Sequence, residues 1–112
     1  MTTEIRVRQW DEQAHGPIGP DAIRRLHLPP ENFRVSEYRY PAGAKFPGGT
    51  HAGLLYVLRG RCRYTSAGDA VELGPGDIAE RPEGRFELEV LGADELVVVK
   101  VWELPPSARR PA

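Results

Sequence analysis

The 112-residue chain has a single cysteine, Cys62, so it cannot form an intramolecular disulfide. That argues against a secreted domain built on a disulfide framework and for a reducing compartment. Long apolar runs are missing too: Leu96–Val99 falls far short of the ~18 residues that cross a bilayer. Neither sign of charge is in excess. Fifteen Lys and Arg stand against 16 Asp and Glu, a formal net charge of −1, so bulk charge points to no nucleic-acid or membrane partner. The opening MTTEIRVRQW carries charge where a signal peptide has an apolar centre, and a cytoplasmic protein is the expectation. Lysine is nearly absent, with Lys45 and Lys100 the only examples beside many arginines. No Walker loop, dinucleotide fingerprint, nucleophile elbow or Cys-x-x-Cys pair occurs.

Glycine (12) and proline (11) are abundant and evenly spread. Between them lie short runs rich in Val, Tyr, Phe and Leu: Ile5–Trp10, Phe33–Tyr40, Leu54–Leu58, Arg61–Thr65, Ala70–Leu73, Ile78–Arg81, Phe86–Leu91 and Leu96–Trp102. Short runs separated by turn signals such as Pro41-Ala-Gly, Pro47-Gly-Gly and Gly74-Pro-Gly-Asp predict an all-β sandwich or barrel. One short N-terminal helix is expected over Pro20–Leu26, where Pro20 suits a first helical position and Arg24 and Arg25 complement the dipole at the far end. Hydrophobic residues at 40% and charged residues at 28% fit one globular domain, residues 1–104. The tail, 105–112, has no apolar face and is expected to be flexible.

Alternation along the strands leaves some faces open at this stage. In Phe86–Leu91, Phe86, Leu88 and Val90 share one face and Glu87, Glu89 and Leu91 the other, and a one-residue slip near Pro82–Gly84 would exchange them. Leu96–Val101 is apolar on both faces except at Lys100, so it is either covered within the chain or packed against a second copy. Arg59, Arg61 and Arg63 share a face, as a solvated stripe or as part of one anion site.

Two blocks carry a family resemblance. Tyr56-Val-Leu-Arg-Gly60 and Gly74-Pro-Gly-Asp-Ile-Ala-Glu-Arg-Pro-Glu-Gly84 resemble the closing strand and turn of the first motif, and the glycine–proline–glycine second motif, of a single-domain cupin. The core of the resemblance runs over 41–102 and implies a jelly-roll barrel. It also implies where a cupin metal would be held. Counting from Gly60 puts the first motif's Glu at Gly53 and its two His at Pro47 and Gly49, or at Phe46 and Gly48 with the longer spacing. Gly84 places the second motif's His at Glu87. The chain departs from the pattern at all four, so the usual metal centre is not expected. An atypical divalent site using His51 and Glu87 is the weaker alternative, since catalytic metals usually need three protein ligands.

The resemblance therefore suggests a cupin barrel that binds a small organic molecule without the standard metal. Gly48, Gly49 and Gly53 are expected to free volume, with Tyr38, Tyr40, Phe46, Phe86, Glu87, Trp102 and His51 as candidate ligand-binding residues. Arg39, Arg61 and Arg63 are candidate anion contacts. The alternative is a small enzyme, isomerase-like, with His51 as general base and a Tyr or Glu87 as acid. A homodimer is expected from the doubly apolar final strand and an exposed Trp10.

Overall fold

The computed structural model describes residues 5–108, and within them more than half of the chain is strand. The strands are β1 (Arg6–Gln9), β2 (Phe33–Tyr40), β3 (Lys45–Thr50), β4 (Gly53–Arg59), β5 (Arg61–Ser66), β6 (Asp69–Leu73), β7 (Asp77–Arg81), β8 (Gly84–Leu91) and β9 (Leu96–Glu103). One antiparallel sheet has the order β1-β7-β4-β9-β2 and the other β3-β8-β5-β6, so the all-β jelly roll is as expected.

The strands follow the alternating runs, with one addition. Lys45–Thr50 reads as turn chemistry because of Pro47-Gly-Gly, yet it pairs with β8 along its whole length, Lys45 opposite Glu89 through Thr50 opposite Gly84. It lies at the sheet edge, where a proline's missing N–H costs no ladder bond. Two short helices occur where one is expected. Helix α1 (Glu12–His15) is capped by the Asp11 carboxylate, which accepts from the Ala14 N–H at 3.2 Å, and ends at Gly16 with φ 74°. Helix α2 (Pro20–Arg24) stops two residues before the expected end. At the C-terminus Pro106–Ala108 forms a 3-10 turn, and residues 109–112 of the expected tail lie outside the described residues.

Two apolar layers sit on the two faces of the first sheet. Between the sheets, Leu55, Val57, Cys62, Tyr64, Leu73, Leu88, Val90, Leu96 and Val98 form the interior core. Each of the larger aliphatic side chains there contributes about 1.5–3 kcal/mol on burial. On the outer face, Tyr56, Ile78, Val99 and Val101 pack with Ile23 of α2. The final strand β9 is therefore covered on both sides within the chain: Leu96 and Val98 face inward, Val99 and Val101 meet the helix layer. Trp10 is not exposed either. It packs on this outer layer and its Nε1 donates to the Gly16 carbonyl at 2.8 Å.

The turns are set by a few glycines. Gly60 joins β4 to β5 at φ +81°, and a Cβ there would stand 2.5 Å from the Glu95 carbonyl oxygen. Only glycine tolerates both the left-handed backbone and that approach.

Candidate functional site: a cationic cavity in the barrel

Because side chains alternate along a strand, the inward positions of β9 are Leu96, Val98, Lys100 and Trp102. Those of β7 are Ala79 and Arg81, and those of the second half of β2 are Tyr38 and Tyr40. Toward one end of the barrel the aliphatic packing gives way to these larger groups. They leave a cavity of about 150 Å³ lined by Tyr38, Gly49, Thr50, His51, Arg81, Phe86, Lys100 and Trp102.

Two buried cations define the chemistry. Lys100 is 9% exposed, and its Nζ donates to Tyr40 Oη at 3.0 Å. The ammonium is 4.6 Å from the ring centre of Tyr38 and 5.4 Å from those of Tyr40 and Phe86, within cation–π range. Burial lowers its pKa from 10.5 to about 8, and the neighbouring Arg81 charge adds to the shift.

Arg81 is 3% exposed. Its guanidinium carbon lies 5.9 Å from the Phe86 ring centre and 6.0 Å from that of Tyr64. Its Nε and Nη2, and the buried Tyr64 Oη, make no hydrogen bond of ordinary geometry, although Arg81 lies near enough to Tyr64 to favour the phenolate. Among the described residues no carboxylate lines the cavity. Burial pushes the Tyr64 and Tyr40 phenols up, with Arg81 pulling each back in part, so both remain neutral donors at physiological pH.

The residues expected from the sequence divide clearly. Tyr38, His51, Phe86 and Trp102 line the cavity, and Tyr40 reaches it through Lys100. His51 stands exposed at the rim, in the break between β3 and β4. Phe46 packs behind, its ring centre 4.7 Å from that of Tyr40. Glu87 does not belong to the site: Phe86 faces inward, and Glu87 faces out, half-exposed and paired with Lys45 at 3.5 Å. The arginine candidates also lie outside. Arg63 pairs with Glu72 at 3.0 Å and Glu89 at 3.6 Å, and Arg61 reaches Glu72 at 3.9 Å. Arg39 pairs with Glu37 and Glu95. The stripe is solvated, and such pairs contribute less than about 1 kcal/mol each.

The sequence alone does not mark Arg81 or Lys100 as site residues. Lys100 leaves one signal, a lone charge in an apolar strand at the parity of Leu96 and Val98. Arg81 leaves none, because Ile78-Ala79-Glu80-Arg81 permits either face inward.

The glycines open less space than expected. A Cβ on Gly48 would lie 2.6 Å from the Phe86 ring, and one on Gly53 only 2.1 Å from the Val101 carbonyl oxygen. Only Gly49 faces open space. These contacts also test the family's metal. Strand parity makes Phe46 and Gly48 the inward pair of the first motif. Phe46 has no donor atom, Gly48 and Gly53 are closed to side chains, and Glu87 points out of the barrel. The cavity wall instead holds two cationic groups, which oppose a metal ion. Among the described residues no group of three His, Cys, Asp or Glu could hold one. The residues do not fit the standard centre.

A larger groove of about 500 Å³ runs outside the barrel beside β2, with Arg24, Arg25, His27, Leu28 and Phe33 in its wall. None of its lining residues is buried, and nothing in it matches the buried Arg81. His27 there shares a hydrogen bond with Tyr56 Oη at 2.9 Å, and its pKa is lowered by burial and by Arg8. Among the described residues no helix is long and apolar enough to cross a membrane.

No family model matches the chain, and no curated protein matches it. Solved structures do. A cupin superfamily protein from Desulfitobacterium hafniense DCB-2 superposes with a TM-score of 0.57 at 9% identity, over 94% of this chain and 82% of that one. The Schizosaccharomyces pombe Cnp3 cupin domain gives 0.56 at 13% identity, over 67% of this chain and 56% of its own. ToxT from Vibrio cholerae O395, bound to (E)-4-(8-methylnaphthalen-1-yl)but-3-enoic acid, gives 0.53 at 14% identity, over 68% of this chain and 32% of that protein. The chain thus spans little more than half of the Cnp3 chain and about a third of ToxT. The protein is a cupin-fold barrel, its inner cavity walled by aromatic rings and two buried cations.

Proposed function

We propose that this chain binds a small organic anion, a carboxylate or similar oxyanion, inside the barrel and without the standard cupin metal centre. The observation that carries the reading is Arg81: a guanidinium 3% exposed, its Nε and Nη2 without a hydrogen bond of ordinary geometry, and no carboxylate in the cavity among the described residues. An uncompensated buried charge costs several kcal/mol. A ligand carboxylate would offset that cost and satisfy both donors, because a guanidinium presents paired N–H groups that match two carboxylate oxygens. Lys100 beside it adds a second positive charge, and the rings of Tyr38, Phe86 and Trp102 supply apolar walls. The cavity holds a group of about five waters' volume, at ~30 Å³ each. Shallower wells of about 410 Å³ beside Gly49 leave room for a tail. ToxT, about a third of which superposes on this chain, is itself bound to an organic carboxylic acid.

The test is calorimetric titration with short carboxylic acids and their neutral amides. Acids are expected to bind at least tenfold tighter than the matching amides. Arg81→Gln should lower acid affinity about 10- to 100-fold, the span of a charge-assisted hydrogen bond, while melting cooperatively. Equal affinity for acid and amide, or an unaffected Arg81→Gln, overturns the reading. One copy of the chain suffices for it. Both features that suggested a homodimer, β9 and Trp10, are covered within the chain, and light scattering reads the mass in solution.

A further inference from the structure

The cavity places a lysine where an amine nucleophile belongs. Lys100 Nζ is buried, held by Tyr40 Oη at 3.0 Å, enclosed by the rings of Tyr38 and Phe86, and shares the cavity with Arg81. A carboxylate on Arg81 leaves the rest of a short ligand beside Nζ. We propose that Lys100 forms a reversible imine with a small oxo acid whose carboxylate sits on Arg81, a step that rests on the anion reading above.

The step needs no further reagent. The neutral amine of Lys100 attacks the carbonyl carbon, forming the C–N bond as the carbonyl π pair moves to oxygen. One amine proton passes to that oxygen through Tyr40, whose hydroxyl already accepts from Nζ, and a second proton comes from solvent. The oxygen leaves as water and the protonated C=N bond remains. That group draws electrons from the adjacent carbon and acidifies its C–H bonds, so proton exchange or isomerisation beside the carbonyl is the reaction class it opens.

Two features favour the neutral amine. Burial and Arg81 bring the Lys100 pKa to about 8, so near that pH about half of it is neutral. For an ordinary lysine the neutral fraction is on the order of a hundredfold smaller. Burial, the larger cause, persists when a carboxylate neutralises Arg81. Lysine scarcity makes the assignment easy to read: the other one, Lys45, is exposed on the outer face and paired with Glu87.

The experiment is reductive trapping of the intact protein at pH 8 with pyruvate and cyanoborohydride, followed by peptide mass mapping. In parallel, pyruvate binding without reductant is followed by calorimetry. The expected result is one adduct per chain on Lys100, heavier by the mass of pyruvic acid less one oxygen atom. Lys45 should be labelled at least tenfold more slowly. Arg81→Gln should slow labelling of Lys100 at least tenfold without affecting Lys45. Binding of pyruvate with no adduct on Lys100, or with labelling equal to that of Lys45, refutes the imine and leaves the anion site standing. Absence of both binding and adduct refutes both.

Discussion

Replacing Lys100 with methionine, which has nearly the same length and volume, should make the ligand-free protein more stable. Folding moves the lysine pKa from 10.5 to about 8. At ~1.4 kcal/mol per pH unit, that is about 3 kcal/mol held against the folded state at neutral pH. Cation–π contacts with Tyr38, Tyr40 and Phe86 return up to about 2 kcal/mol, and methionine loses them. The net expectation for Lys100→Met at pH 7 is a gain between about 1 and 3 kcal/mol, or roughly 4 to 12 °C in melting temperature for a domain of this size. The pH dependence is the sharper reading. Below pH 8 both folded and unfolded lysines carry the proton, and the deficit of the parent protein is constant. From pH 8 to 10.5 the folded state sheds the proton while the unfolded chain keeps it. Stability of the parent therefore climbs toward that of the variant across that window. Urea denaturation of both proteins from pH 6 to 10.5 measures the difference directly. A parent more stable than Lys100→Met at pH 7, or two curves that stay parallel through the window, would refute the claim that the cavity holds a strained charge.

Other expectations bear on neighbouring parts of the structure. Gly53→Ala drives a Cβ onto the Val101 carbonyl at 2.1 Å and should cost about 3 kcal/mol or more, whereas Gly49→Ala, which meets nothing within 4 Å, should leave the melting temperature nearly unchanged. Thermal melts of the pair isolate the steric term; equal effects would contradict the packing described at β9. His27 has a lowered pKa, so the unfolded chain takes up its proton first, and the stability it contributes is full above 6.5 and lost as pH falls below that value. Melts at pH 7 and pH 5 should show a larger loss in the parent than in His27→Gln, and an equal loss would disprove the assignment. Glu87→Gln removes one exposed pair with Lys45 and should change stability by no more than about 0.5 kcal/mol. Carboxylate affinity, read by calorimetry, should not move; a large drop would return Glu87 to the site.

Much of the architecture is written in local chemistry. Alternation in Phe86–Val90 separates core from solvent, and Gly60 and Gly76 mark turns because their backbone is left-handed at φ +81° and +88°. Asp11 and Gly16 cap α1 from its two ends, a short-range signal present in the sequence. Where local chemistry misleads, the reason is long-range. Pro47-Gly-Gly is poor strand material and becomes β3 only because β8 offers a partner and the edge position forgives the proline.

The candidate site divides along the same line. Composition and periodicity determined short apolar strands of a β barrel, and the resemblance to the cupin motif placed non-ligating residues where that family's metal ligands stand. Those properties depend on residue type and near neighbours. Which face of each strand looks inward depends on register, and register is set by pairing between segments distant in sequence. Pairing put Phe86 inside and Glu87 out. It also turned Arg81 and Lys100, residues 19 apart on strands β7 and β9, into one cationic cavity. A charge on a strand is a surface residue or a binding group according to what packs across from it, and only the folded chain supplies that neighbour.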